Sequence, residues 1–539
     1  MEEKNQPQFC HLGILHAVII IIATLVWYLH RKLRRNSAPN SVRSRKSGWE
    51  ISKNLQFSEI GVNFNKWRRP VSIWGRDDED LKLCQEFRSI DIGKKEWDRA
   101  TRTVDAVLSM LLCEMQKIAR REYKDLVIEK YVKQGSSREG LKVNKADEFD
   151  VLLLFYITGM HLEIKHLTDA KDFILPEFGR LVVADDIRNP WLNNYIVIDE
   201  VLGKYCLNSR KLHEKLFISI IQRAAHELQQ TVVKESKDDA FRFTIEKFRK
   251  NPPSVNIQIE LLHKDENCPY DEHLTEIKAS NYGFTPESAR IPMTFFRTLI
   301  DVDIVPGIQL RTEQVPNPTD WDGTMECPRY AVFRWVEQNQ PAAAYYKYAP
   351  EIRWRVCTSG YEKHVVDVTR GSKEQSYIVT ALRIMKSEFQ SLMGLLEPPQ
   401  LVTVLRSYYL KHIAFYCILY LTVINKVGLL GVKQALAYYL DFLQVVLEEK
   451  RLPHFFHDNE FIVYMFPTYE MSRNTLRYDL FTGKPKEFLE QAELSFKRLR
   501  LKQKLCEDAS TFPEYAKIFR RYIQAGKYYT GPCRPHKIV

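Results

Sequence analysis

Glu148 and Asp150 stand one residue apart at the head of an unbroken apolar run, Val151 to Phe155. Alternate side chains of a strand share a face, and a continuous apolar run reads as a strand buried on both sides. Two carboxylates on one face at the entrance to such a strand repel each other until a cation relieves them. A hard divalent ion such as Mg²⁺ takes oxygen ligands and brings phosphate with it. Just upstream, Gly135-Ser136 offers a small-residue turn whose backbone N–H groups suit a phosphate. The pattern points to phosphoryl or nucleotidyl transfer. The plain alternative for Glu-x-Asp is a solvated strand edge.

The rest of the chain sets the frame. From about Lys95 to Lys130, Val104, Val107, Leu108, Leu111, Met115 and Ile118 recur at helical spacing. The opposite face carries Arg99, Arg102, Lys117, Arg120, Arg121 and Lys124, interspersed with Asp98, Asp105, Glu114 and Glu122. Such a face is either a solvated charge mixture or a polyanion contact. Ser254 to Leu262 alternates as a strand, and Ile300 to Leu310 reads as another that carries Asp301 and Asp303. Beyond Thr380 long helical patterns dominate. The stretch from Leu401 to Ile424 is very apolar but holds Arg406, Lys411 and His412, so it reads as a core helix.

The ordered set of motifs resembles the nucleotidyltransferase core of cyclic GMP-AMP synthase and the Mab-twenty-one family. Gly135-Ser136 is followed, thirteen residues after the glycine, by Glu148-Phe149-Asp150-Val151. Asp303 in IDVDIVPGIQL matches the family's third acid, with Asp301 its outward or neighbouring companion. Trp354 to Lys363, LRIMK ending in Lys386, SYYLK from Ser407 to Lys411, and RLPHFF from Arg451 to Phe456 resemble later segments in the correct order. The resemblance spans roughly residues 90 to 500. It implies an α/β (α+β) fold of two lobes, with a mixed sheet, a long spine helix and a C-terminal helical lobe. The nucleotidyltransferase core would occupy 90–380 and the helical lobe 381–539.

That resemblance also implies a site. Glu148, Asp150 and Asp303 would hold Mg²⁺ or Mn²⁺ and carry catalysis. Gly135, Ser136, Arg355, Glu362, Lys386, Ser407, Tyr408 and Lys411 would contact nucleoside triphosphates, with Lys386 and Lys411 as point charges on phosphate and Tyr408 stacked on a base. Products of this family type include cyclic dinucleotides. The family's His and Cys zinc cluster is not matched, since only Cys357 and His364 lie there, so no zinc is expected. A nucleic acid or other polyanion at the spine helix is the family's activating ligand. Relatives of the same fold include membrane-anchored adaptors without catalysis, such as mitochondrial dynamics receptors and inositol trisphosphate receptor-interacting proteins.

Charge and cysteines restrict the surroundings. Of the net charge of +11, seven units come from Lys and Arg between His30 and Lys46, and residues 1–11 carry −1, leaving +5 for residues 47–539. A main body so mildly basic argues against an obligate nucleic-acid partner. Ten scattered cysteines without a CxxC pair suit a reducing, cytosol-facing domain. After a short tail, 1–11, Leu12 to Leu29 is apolar except for His16 and Thr24, with Trp27 and Tyr28 at one end and Arg31, Lys32, Arg34 and Arg35 just beyond. A run of eighteen residues nearly spans a bilayer. Basic residues after it place the large domain in the cytosol, on a single-pass anchor followed by a basic linker, 30–60.

Overall fold

The computed structural model describes residues 65–168, 174–184, 190–235, 241–245, 254–263, 296–310, 313–317, 320–334, 348–368, 372–460, 462, 465–466, 477–503, 512–526 and 528. They belong to one compact unit, Phe57–Val539. The expected anchor, Leu12 to Leu29, and most of the linker lie outside the described residues.

The strands are β1 (Leu126–Gln134), β2 (Glu148–Ile157), β3 (Leu162–Thr168), β4 (Ile174–Val183), β5 (Ile196–Asp199), β6 (Lys204–Leu207), β7 (Phe241–Ile245), β8 (Val255–His263), β9 (Phe296–Gln309), β10 (Glu313–Asn317), β11 (Asp320–Cys327), β12 (Tyr330–Phe333) and β13 (Trp354–Cys357). The main helices are α1 (Asp78–Glu86), α2 (Lys94–Glu122), α3 (Gly135–Glu139), α4 (Ile218–Glu235), α5 (Ser359–Val368), α6 (Lys373–Met393), α7 (Gln400–Val404), α8 (Ser407–Cys417), α9 (Val432–Glu449), α10 (Lys486–Gln503) and α11 (Phe512–Ala525). The result is a mixed α/β protein with a curled mixed sheet, ordered β1-β2-β9-β12-β13-β4-β6-β5, with β3, β7 and β8 attached to it. Within it β2 and β9 run parallel.

The apolar periodicity acts as expected. Val104, Val107, Leu108, Leu111, Met115 and Ile118 of α2 are all buried, and they join Phe149, Val151, Leu153 and Phe155 of β2 in one core cluster. Phe149 meets the Trp67 ring edge-on at a centroid separation of 4.9 Å, and Trp97 of α2 lies 5.9 Å from it. The helix stops at Glu122, short of the expected Lys130, because Asp125 takes a left-handed φ of 71° and turns the chain into β1. A second core cluster gathers α6, α8, α9 and their neighbours.

One helical stretch among the described residues, Ser407–Ile424, is long and apolar enough to cross a membrane, with mean hydropathy 1.2 over 18 residues. It is 67% buried inside the protein. Tyr416 and Tyr420 pack against Phe519 of α11, which is the environment of a core helix.

Candidate functional site

The parallel pairing of β2 with β9 puts Glu148 opposite Asp301 and Asp150 opposite Asp303. Cross-strand partners share a face, and so do residues two apart. All four carboxylates therefore lie on the same face of two adjacent strands. Asp301, expected only as an outward or neighbouring companion, belongs to the same set. The flanking strands extend the rows: Gln134 of β1 is the partner of Asp150, and Asn256 of β8 is the partner of Asp303. Asn256 donates to Asp303 through Nδ2 at 2.8 Å, and Gln258 Nε2 donates to Asp301 at 3.1 Å.

A short turn frames one end of this face. Gly135 takes φ +66°, and a Cβ there would stand 1.9 Å from Asp150 Oδ2, so only glycine lets the turn pass this close to the carboxylate. The Ser136 carbonyl accepts from Leu141 N at 2.8 Å and Lys142 N at 3.2 Å, closing the turn. Ser137 Oγ donates to the Glu148 carbonyl at 2.7 Å and pins the turn to the head of β2. From outside, Arg68 donates its backbone N–H to the Ser137 carbonyl and pairs with Asp367 of α5.

Burial acts first on Asp150, and Glu148 and Asp303 add their repulsion, so its carboxyl is pushed up to about 7. Lys142 pulls the other way. Its ammonium lies 2.9 Å from Glu148 Oε2 and 3.0 Å from Asp147 Oδ1, with its own side chain only 6% exposed. Among the described residues, no group of three or more His, Cys, Asp or Glu side chains is placed so that it could hold a metal ion. The four side chains offer carboxylate oxygens, the donor type that hard cations take, on one face, and burial first, then Glu148 and Asp303, raises the carboxyl of Asp150. Nearby, the Gln134 amide is buried, and neither its Nε2 nor its Oε1 has a hydrogen-bond partner among the described residues.

The remaining expected contacts divide. Lys411 of α8 is held between two buried carboxylates, Glu139 of α3 and Glu362 of α5, at 2.6 Å each. Burial raises Glu139 despite Lys411. Burial would raise Glu362 too, but Lys411, His412 and the Thr358 hydroxyl outweigh it and hold Glu362 low. Lys386 of α6 is also buried and donates to the Leu141 carbonyl at 2.8 Å. Burial and the neighbouring Lys142 bring its ammonium down to about 7. Both lysines, expected as phosphate contacts, are engaged with partners inside the protein. Tyr408 is half-buried, with its hydroxyl 2.9 Å from His454 Nε2 and its ring 6.0 Å from the Arg355 guanidinium. Ser407 is exposed at the first residue of α8. On α2, Lys117 pairs with Glu114, and Arg121 with Glu122 and Glu227, as in a solvated mixed-charge face.

Sequence reading passed over Lys142 and Gln134. Gln134 could have been suspected as the residue just before the Gly135 turn. Nothing in the local spacing marks Lys142 as the partner of Glu148. No protein-family model matches the chain, and no curated protein matches it.

Proposed function

We propose that this chain is a membrane-anchored, divalent-cation-dependent nucleotidyltransferase resembling the cyclic GMP-AMP synthase and Mab-twenty-one type, with the corresponding two-lobed fold. The observation that carries the reading is the register that sets Asp150 against Asp303 and Glu148 against Asp301 on parallel neighbours. Like charges on one face of a sheet are destabilising unless a cation or a proton relieves them. Glu148, Asp150 and Asp303 are the residues that would hold Mg²⁺ or Mn²⁺. When bound, such a cation neutralises a triphosphate and assists attack by a ribose hydroxyl on the α-phosphorus, with pyrophosphate leaving. In this reading Asp303, which accepts a hydrogen bond from Asn256, would take the hydroxyl proton. Ser136 and the backbone of the Gly135 turn face the phosphates in this reading.

The test is to incubate the purified chain with the four nucleoside triphosphates and Mg²⁺ or Mn²⁺, with and without RNA or DNA, and to analyse products by mass spectrometry. Product from the wild-type chain, lost by a factor of about 100 or more in Asp150→Asn, is the expected result. Absence of product under every condition sinks the reading.

A second reading is favoured by a specific observation. Lys386 and Lys411, expected on phosphate, are instead engaged with internal partners among the described residues. A non-catalytic adaptor of the same fold, acting from a membrane, accounts for that. Under it, Asp150→Asn leaves the cellular effect of the chain intact.

A further inference from the structure

We propose that Ser72 is a phosphorylation site for a protein kinase that selects arginine upstream of its serine, and that the buried Arg383 of α6 receives the phosphate. The inference is independent of the chemistry proposed for the acidic face.

Ser72 lies in the run Arg68-Arg69-Pro70-Val71-Ser72-Ile73, with Arg69 three residues before it and an apolar residue after it. Kinases of this class choose substrates by such a charge pattern. Arg69 is exposed, and so are Val71 and Ile73 on either side of the half-buried serine. These residues belong to no helix or strand, and side chains hold them in place. Asp91 accepts from the Ser72 N–H at 3.2 Å, and the Thr380 hydroxyl lies 3.2 Å from both the nitrogen and the carbonyl oxygen of Ile73. Such a stretch can lift into a kinase cleft without breaking a ladder. In the transfer, Ser72 Oγ bonds to the γ-phosphorus of a nucleoside triphosphate. The bond from that phosphorus to the departing diphosphate breaks, and the hydroxyl proton passes to the kinase's base.

A receiver already stands beside the hydroxyl. Arg383 Nη1 lies 2.7 Å from Ser72 Oγ and 2.7 Å from Asp91 Oδ1, and Nη2 donates to the Ile90 carbonyl at 2.8 Å. The Arg383 side chain is 0% exposed, and its Nε has no hydrogen-bond partner among the described residues. Burial acts against its charge, and Asp91 favours it. A phosphate on Ser72 brings about −1.5 to −2 of charge and strong acceptor oxygens to a guanidinium with a donor to spare. It also repels Asp91. At 39% exposed Asp91 can turn to water, whereas the enclosed Arg383 cannot. The phosphate therefore takes the arginine, and Asp91 gives way. Arg68, in the same run, donates its backbone N–H to the Ser137 carbonyl in the turn beside Asp150. Drawing Ser72 onto α6 thus acts on a support of that turn.

The experiment incubates the full-length chain in detergent with ATP, Mg²⁺ and the catalytic subunit of the cyclic-AMP-dependent kinase, a basophilic enzyme. Tandem mass spectrometry maps the phosphate and separates Ser72 from serines of the basic linker such as Ser37. The expected result is phosphate on Ser72, with the initial rate at that residue lowered about tenfold or more in Arg69→Ala. Phosphorus magnetic resonance then follows the Ser72 signal, identified by its loss in Ser72→Ala, as pH is varied. An unpaired phosphoserine titrates near about 6; held by Arg383, this one should titrate about one unit or more lower. Arg383→Gln should return it to about 6. Should that variant lack a native circular dichroism spectrum, Asp91→Asn, which removes the competing carboxylate, should lower the value further. No phosphate on Ser72, or a rate indifferent to Arg69, overturns the site. A Ser72 phosphate that titrates at about 6 or above in the wild-type chain overturns Arg383 as its receiver.

Discussion

Asp150 and Asp303 are direct register partners on adjacent parallel strands, and the Asp150 carboxylate also abuts Gly135. One residue thus joins the acidic rows to the turn. Burial of that residue, with the repulsion of Glu148 and Asp303 added, raises its carboxyl above the ordinary range.

The folded protein holds the Asp150 carboxyl at about 7, above its ordinary value of 3.8. Between those two values the folded state binds more protons than the unfolded chain, so stability falls as pH rises through the window. In EDTA, thermal unfolding should show wild type losing about 1–2 kcal/mol from pH 4.5 to pH 7.5 through this group, after allowance for solvent screening. Asp150→Asn should lack that component and be the more stable protein at pH 7.5. A variant whose pH profile parallels wild type would refute the raised carboxyl of Asp150.

Gly135→Ala should be worse than Gly159→Ala. Both glycines have left-handed φ, +66° and +77°, but a Cβ at Gly159 meets nothing within 4 Å. Backbone strain alone costs about 1 kcal/mol at Gly159. At Gly135 the added methyl also displaces Asp150, whose Cγ would lie 2.7 Å and Cβ 3.1 Å away, for a total of about 2–4 kcal/mol. Chemical denaturation of the two variants checks the difference, and Mn²⁺ binding should weaken only in Gly135→Ala.

What could be read from the sequence follows from periodicity. Glu148 and Asp150 were identifiable because spacing along a strand fixes which side chains share a face, and the buried stripe of α2 was identifiable for the same reason at helical spacing. That Asp301 joins the set depends on the register of β2 against β9, which no local pattern encodes. The burial of Lys386 and Lys411 was not legible either. A lysine on a helix looks solvent-facing until the partner elements are known, and their partners Leu141, Glu139 and Glu362 come from distant segments. Lys142 was missed because an ion pair six residues along, across a turn, has no repeat to reveal it.

Deletion of Leu12 to Leu29 should release the chain from membranes. The run is apolar over eighteen residues and is flanked by basic residues, and a segment that crosses a bilayer resists alkaline extraction. Carbonate extraction of cells expressing either form should leave the full chain in the pellet and the deleted form in the supernatant. A glycosylation acceptor introduced at the exposed Leu396 should stay unmodified if the basic flank sets the orientation that the sequence predicts. Modification at that position would reverse the predicted topology.

Lys411→Met should be among the most destabilising single changes in the helical part of the protein. The ammonium is shared by Glu139 and Glu362, both nearly inaccessible to solvent, with side-chain exposures of 2% and 8%. Removing it leaves two buried carboxylates facing each other with Thr358 as a hydroxyl donor to one of them, and breaking a buried pair from one side costs about 3–5 kcal/mol. Adding Glu139→Gln and Glu362→Gln to Lys411→Met removes the stranded charges and should recover about half or more of the loss, because an uncharged buried set need not be paired. Denaturant midpoints of the single and triple variants decide the matter. Equal destabilisation of the two would mean that packing of the lysine stem, not the shared charge, holds α3, α5 and α8 together.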